Sequence, residues 1–254
     1  EQKTAIGIRN AGREMLKLWA MEDTRDLTIQ AMGAVSSADG ANTAYASASE
    51  AAKDAWLANN TDRILFGAVK SNNSGNDHSA SLANIDNTAD KLTSSMGSLA
   101  KRMAKTADPH IRPIRTTGDE EWFVMFCNSL SFRDLKQDTV LTAANREAWQ
   151  RGRNNPLFTD GDLIYDGVIY REVPEIAVIS GVGAAGIDVA PNYLCGSQAV
   201  GIAYAKRFAS STQIRDYGHR HGVAIAANYG VEKLFYDTVQ HGMVTVYSAG
   251  VADS

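Results

Sequence analysis

The most specific chemical spacing in this chain is Gly181-Val182-Gly183-Ala184-Ala185-Gly186, which matches the dinucleotide fingerprint G-x-G-x-x-G and follows an apolar run, Ile176 to Ile179. Such glycines hold a pyrophosphate only where a helix N-terminus opens directly behind them, because its free N–H groups and dipole receive the charge. Here the next residues are Ile187-Asp188-Val189-Ala190-Pro191. Two β-branched residues and a proline oppose a helix at that point, so a glycine loop between two strands is the preferred reading. A nucleotide-binding oxidoreductase using Gly181 to Gly186 is the alternative.

The other reactive side chains do not assemble into a centre. His219 and His221 flank Arg220, with His241 further on; residues at i and i+2 point to opposite faces of a strand and about 200° apart on a helix, so they do not share a metal easily. Cys127 and Cys195 lack a C-x-x-C partner and lie in apolar runs, where a free cysteine acts as a small hydrophobe. Cys195-Gly196-Ser197 opens a predicted helix without the G-x-S-x-G elbow of a nucleophilic hydrolase. Asp160, Asp162 and Asp166 have the spacing of oxygen ligands, but Gly161, Leu163 and Ile164 interrupt the calcium-loop pattern, and turn residues explain them better. Neither catalytic residues, nor a metal, nor a cofactor is expected. Arg146, Arg151 and Arg153 surround Trp149. They either complement a helix dipole at a solvated helix end or form a charged contact with a neighbouring subunit, where arginine forks onto carboxylates.

Of the elements that would position these residues, a long amphipathic helix over residues 4–32 comes first. It is suggested by Ile8, Ala11, Met15, Leu18 and Trp19, with Gly33 as a left-handed cap and Arg9 and Arg13 on its polar face. A polar excursion over 36–80 follows, with one short helix from Glu50 to Trp56 and a mobile loop from Ser71 to Ser81. Leu82, Ile85, Ala89, Leu92, Met96, Leu99 and Met103 form a helical stripe, read as one helix lying on a sheet or another helix and ended by Asp108-Pro109. Trp122 to Cys127 reads as a buried strand, Leu130 to Trp149 as helix, and Leu163 to Ile169 and Ile176 to Ile179 as strands. The segment from Trp149 to Glu172 makes shape, with Pro156 fixing a turn and Asp160-Gly161 and Asp166-Gly167 punctuating two short strands. Tyr193 to Phe208 reads as a helix rich in small residues, and Val223 to Tyr229 and Met243 to Tyr247 as strands. The irregular alternation gives an α+β class.

At 254 residues the chain can bury one large core or two joined ones. A net charge of -4 and a pI near 5.7 oppose a specific nucleic-acid reader. Its apolar runs fall well short of the ~18 residues of a membrane helix, so no membrane partner is expected.

In their order along the chain, several pieces resemble the major capsid proteins of tailed bacteriophages, of the type found in coliphage N-four. They are Thr61-Asp62-Arg63-Ile64-Leu65-Phe66-Gly67, Ile111-Arg112-Pro113-Ile114, Phe132-Arg133-Asp134-Leu135, Arg151-Gly152-Arg153-Asn154-Asn155-Pro156-Leu157-Phe158, Tyr165-Asp166-Gly167-Val168, Leu194-Cys195-Gly196-Ser197-Gln198-Ala199 and Asp216-Tyr217-Gly218. The resemblance implies the Hong Kong 97-like fold. Residues 1–80 would form the first part of a peripheral domain with its spine helix at 4–32, residues 81–217 an axial domain, and 218–254 strands returning to the peripheral domain.

It also implies hexamers and pentamers closing an icosahedral shell in the virion, assembled in the host cytoplasm. Expected partners are a portal protein at one vertex, a possible cement or scaffolding protein, and packaged double-stranded DNA held by weak nonspecific contact. Another virion structural protein is the further alternative. Arg146, Arg151, Arg153, Phe158, Arg9 and Arg13 are the candidate inter-subunit contacts. Proteins of this fold carry an N-terminal arm and an extended hairpin loop ahead of the spine helix, whereas this sequence opens at that helix, so contacts made by arm and loop are not assigned.

Overall fold

The computed structural model describes residues 8–37, 41–115, 120–148, 163–217 and 220–252. The first element is the long helix α1 (Ile8–Gly33). Gly33 is not in the left-handed region, contrary to the expected cap. Its lack of a side chain serves packing, since a Cβ there would stand 2.8 Å from Tyr193 Oη. A small hairpin follows, β1 (Val35–Ser36) on β2 (Asn42–Thr43), and then α2 (Glu50–Asn59), which is capped by Ser49. After β3 (Ile64–Phe66) comes α3 (His78–Ala83). The expected mobile loop at Ser71 to Ser81 is instead ordered: Asp77 caps α3, Asn73 and Asn76 bond each other, and His78 is buried.

The stripe from Leu82 to Met103 is two helices rather than one, with α4 (Ser94–Thr106) capped afresh by Thr93. The break is local competition from side chains. Asp86 accepts from the backbone of Thr88 and Ala89 at 2.6 and 2.7 Å, and Asp90 accepts from Ala68 and Asp86 at 2.7 and 3.0 Å. β4 (Ile114–Arg115) and β5 (Glu121–Cys127) come next. The expected helix from Leu130 divides in the same way at Asp138, giving α5 (Ser129–Gln137) and α6 (Thr139–Ala148), because the Asp138 carboxylate binds the N–H groups of Ser94 and Val140.

β6 (Leu163–Tyr165) and β7 (Val168–Glu172) form a hairpin about Asp166 and Gly167, both at positive φ as that dipeptide favours. The turns expected at Pro156 and at Asp160-Gly161 lie outside the described residues. Ile176 to Ile179 makes only a single bridge, Ile179 to Val189. The chain continues with β8 (Val189–Cys195), β9 (Val200–Arg215) and β10 (Arg220–Lys233), then β11 (Phe235–Tyr236) paired with β12 (Val239–Gln240), and finally β13 (Met243–Ala249). The helix expected over Tyr193 to Phe208 is therefore strand. Val200, Ile202, Tyr204 and Lys206 alternate with the small Gly201, Ala203 and Ala205, and that period of two outweighs the small-residue content.

One seven-stranded sheet runs β3-β13-β8-β5-β7-β6, with β4 paired beside β5. It takes strands from each of the three segments 1–80, 81–217 and 218–254. β8 and β13 are buried along their whole length, as strands covered on both faces must be. On one face Met96, Ala100 and Met103 of α4 and Phe132 and Leu135 of α5 pack on Phe123, Met125, Tyr170, Val244 and Val246. On the other, Trp56 and Leu57 of α2 join Ile64, Phe66, Ile85, Val189, Tyr247 and Ala249. Pro191 is tolerated in β8 because β5 pairs only with Tyr193 to Cys195, leaving the proline's outer edge without a ladder partner in that sheet. β9 and β10 form a separate two-stranded ribbon.

Candidate interaction surface

The residues singled out for chemistry do not converge. Gly181 to Gly186 itself ends in a short turn, Ala184–Gly186, and β8 follows from Val189, so no helix N-terminus faces the glycines and a pyrophosphate would meet no dipole. The loop instead ties down the chain: Gly183 donates to Ile187 O, Ala184 to Ile85 O and Gly181 to the Asp188 carboxylate, all at 2.9 Å. Asp166 is a turn residue held by Lys101 at 3.0 Å and Ser98 at 3.1 Å; Asp160 and Asp162 lie outside the described residues. His221 lies on the ribbon and His241 after β12, against the Tyr236 ring. His219 falls outside the described residues. Among the described residues no group of three or more His, Cys, Asp or Glu is placed to hold a metal ion.

Both thiols are free and buried, which pushes Cys127 up and Cys195 up to about 12. Cys195 ends a strand and does not start a helix. Of the contact candidates, Arg151, Arg153 and Phe158 lie outside the described residues. Arg146 is on α6 and Arg9 on α1. Arg13 is exposed on α1.

What the structure does present is a large unfinished surface. From Asn10 to Trp19 no side chain of α1 is buried. The expected apolar stripe is bare, with Met15 67 % exposed, Leu18 52 % and Trp19 54 %, and Met21 beside it is 61 % exposed. The helix packs chiefly on the ribbon, where Val223, Ile225, Ala227, Tyr229 and Val231 are the half-buried alternate positions of β10. Tyr229 anchors the pair. Its hydroxyl donates to Asp23 at 2.7 Å and meets Thr24 at 3.2 Å, and its ring stacks on Tyr204 at 5.6 Å and lies 5.1 Å from Phe208. β9 stays exposed almost end to end, with Ile202, Tyr204, Phe208 and Ile214 outward. A two-stranded ribbon is marginal in water, so this one depends on what covers it.

At its root the ribbon joins the body through Lys233, wholly buried, whose Nζ donates to Ala34 O and stands 5.0 Å over the Trp56 ring. Burial lowers its pKa to about 7. Asn42 donates to Lys233 O at 3.1 Å, closing the joint from β2. Two grooves, each of about 700 Å³, flank the C-terminal half of α1 where it crosses the sheet body. One has an apolar floor including Leu27, Ile29, Ile176 and Ile179, with Asp23, Asp26 and Glu175 among its lining residues.

Sequence patterning found the second strand of the ribbon, Val223 to Tyr229, but missed the first and the exposure of the stripe. The alternation from Val200 to Lys206 was the available signal for the first strand. For the stripe no signal distinguishes a core of the chain's own from one shared with a neighbour.

A model of the phage capsid protein family matches residues 1–252. A major capsid protein of Pseudomonas phage KPP25 is 27 % identical over 263 aligned residues, which cover 98 % of this chain and 70 % of that protein. The capsid asymmetric unit of cyanophage Pam1 superposes with a TM-score of 0.90 at 38 % identity, covering 99 % of this chain and 71 % of the other. The capsid of Ralstonia phage GP4 shares the fold, with a TM-score of 0.73 at 20 % identity over 100 % of this chain and 70 % of that one.

Proposed function

Since the chain belongs to the phage capsid protein family, we propose that its bare helix and ribbon are the surfaces through which copies build the shell. The protein is a phage major capsid protein of the α+β, Hong Kong 97-like fold, and it forms the capsid of the virion. The oxidoreductase alternative has no support from these comparisons, and the glycine loop lacks the helix it would need.

The observation that carries the assignment of surfaces is the N-terminal half of α1. Burying each of its large apolar side chains is worth about 1.5–3 kcal/mol, and the fold of one chain leaves Met15, Leu18, Trp19 and Met21 in water. In our reading the divisions expected at 80/81 and 217/218 are redrawn, because one sheet takes strands from all three segments: α1 and the β9–β10 ribbon make the peripheral part, the seven-stranded sheet with α4 and α5 the axial part, and axial parts gather into hexamers and pentamers. Many modest contacts repeated around closed rings give a stable shell while each remains weak enough to reverse during assembly. Arg9, Arg13, Arg146, Arg151, Arg153 and Phe158 are retained as further contact candidates. The role is structural and requires no catalysis. Assembly would occur in the host cytoplasm, with a portal protein at one vertex and cement or scaffolding proteins as further partners. Packaged double-stranded DNA would be touched only weakly, since a chain of net charge -4 releases few counterions.

The test is the Leu18→Ser/Trp19→Ser variant of the full-length protein, followed by sedimentation and negative-stain imaging. Shell yield should fall at least tenfold, while the thermal midpoint of the dissociated subunit barely moves, because exposed substitutions stay within about 0.5 kcal/mol. Shells at wild-type yield would remove α1 from the interface.

A further inference from the structure

We propose that the groove lined by Asp23, Asp26 and Glu175 beside α1 binds a linear aliphatic polyamine, its ammonium groups on the carboxylates and phenols and its methylenes along the apolar floor. The inference goes beyond the assembly reading and does not depend on it, since one chain forms the whole groove.

The groove has the size of a small-molecule site: its volume of about 700 Å³ lies within the usual range of roughly 300–1,000 Å³. No lysine, arginine or histidine is among its described lining residues. Its carboxylates are only partly engaged by the protein. Arg25, which lines the other groove, pairs with one oxygen of Asp26 at 3.0 Å and one of Glu175 at 2.6 Å, and Tyr229 donates to one oxygen of Asp23. Each carboxylate keeps a second oxygen without a hydrogen-bond partner among the described residues. Three carboxylates against one guanidinium leave the rim negative.

The buried wall is phenolic. Tyr193 is 5 % exposed and Tyr247 2 %, and half-buried Tyr45 lines the groove with them. Burial first and Tyr45 second push both buried phenols up, so they stay neutral, and the three lie within electrostatic reach of one another. Tyr247 meets the His78 ring nitrogen at 3.4 Å, whereas the Tyr193 hydroxyl has no hydrogen-bond partner among the described residues. A polar group so deeply buried requires a partner from outside the chain, water or ligand. Gly33 lines the same groove, and a Cβ there would stand 2.8 Å from that hydroxyl, so the absent side chain keeps it open to an occupant.

These features together define the ligand. An anion would face three carboxylates, and a neutral apolar molecule would strip water from the rim without replacing its hydrogen bonds. A cation with N–H donors satisfies the free carboxylate oxygens and the Tyr193 oxygen, and the tyrosine faces attract it further. Ammonium groups spaced along an aliphatic chain match acceptors spaced around Leu27 and Ile176.

The test is equilibrium dialysis of labelled spermidine against dissociated full-length subunits at physiological ionic strength. One equivalent should bind saturably, and it should slow maleimide labelling of a Gln30→Cys thiol on the groove wall, the native thiols being buried. Asp26→Asn/Glu175→Gln should weaken binding about tenfold or more. Tyr193→Phe keeps the ring and should weaken it about fivefold. Circular dichroism and the thermal midpoint show that each variant folds; should Tyr193→Phe fail to fold, the rim variant and the Gln30→Cys protection decide the matter. No saturable binding, binding that the rim substitutions leave unchanged, or displacement by magnesium at equal ionic strength would overturn the proposal. Empty wild-type shells that retain no more spermidine than shells of the rim variant would assign the groove to a neighbouring copy, and would overturn it as well.

Discussion

Replacing Lys233 by methionine removes a charge from the joint between the ribbon and the body while keeping the length of the side chain. Burial alone lowers the pKa of this amine from 10.5 to about 7. Between those values the unfolded chain binds the proton that the folded chain has lost, so stability rises with pH across the window; below about pH 7 both states are charged and the full desolvation penalty applies. Integrating from pH 6.5 to 8.5 gives about 2 kcal/mol of added stability from Lys233. The variant should lack that gradient. It forfeits the hydrogen bond to Ala34 O, costing about 1–3 kcal/mol for an unpaired carbonyl. It should therefore be about 2 kcal/mol more stable than wild type at pH 6.5 and nearly equal at pH 8.5. The measurement is urea unfolding of dissociated subunits, stopped below pH 9 because Cys195, pushed up to about 12 by burial, reverses the trend once an unfolded thiol ionises. A difference between wild type and variant that stays constant over this range would refute the claim that Lys233 is desolvated.

Three further outcomes follow from the packing. Gly97→Ala places a Cβ 1.8 Å from Tyr170 Oη, so α4 must shift off β7 and urea unfolding should show a loss of about 1–3 kcal/mol. His78 lies buried among Tyr45, Trp56, Phe66 and Tyr247, with burial first and Lys53 second lowering its pKa to about 4. Wild-type subunits should therefore gain stability as pH rises from 4 to 6.5, and His78→Phe should remove that gain in the same unfolding assay. Cys127 and Cys195 should react with a maleimide only as fast as the subunit unfolds, and fast labelling of the folded subunit would contradict their burial.

Much of the body was legible because its signals are local. Trp122 to Cys127 reads as a buried strand, and β5 spans Glu121–Cys127; the Asp166-Gly167 pair is the turn its chemistry specifies. Helix continuity was less legible. The stripes at Leu82 to Met103 and Leu130 to Trp149 suit unbroken helices, but Asp86, Asp90 and Asp138 capture nearby backbone donors, and Asp90 and Asp138 also bind the N–H groups of Ala68 and Ser94, 22 and 44 residues away, partners that no local pattern encodes. The glycine motif was legible through its context, since Ile187, Val189 and Pro191 opposed the helix that nucleotide binding needs, and none forms.

The surfaces were the least legible part, and the reason is physical. Apolar periodicity reports which residues must leave water, without saying whose atoms replace it. Met15, Leu18 and Trp19 therefore predicted a core, and in the isolated chain they face solvent. The ribbon poses the same problem more sharply, because β10 leans on α1 while β9 stays exposed on both faces. α1 and the ribbon are fastened to each other by Tyr229 and meet the body at the far end, through Met32 beside Tyr193, Cys195 and Met243, and through Lys233 on Ala34. Lys233, buried and bonded to Ala34 O, lies in that joint. Along the C-terminal half of α1 the body is met again where Arg25 pairs with Glu175 at 2.6 Å, so the bare faces are those of the N-terminal half of α1 and of β9.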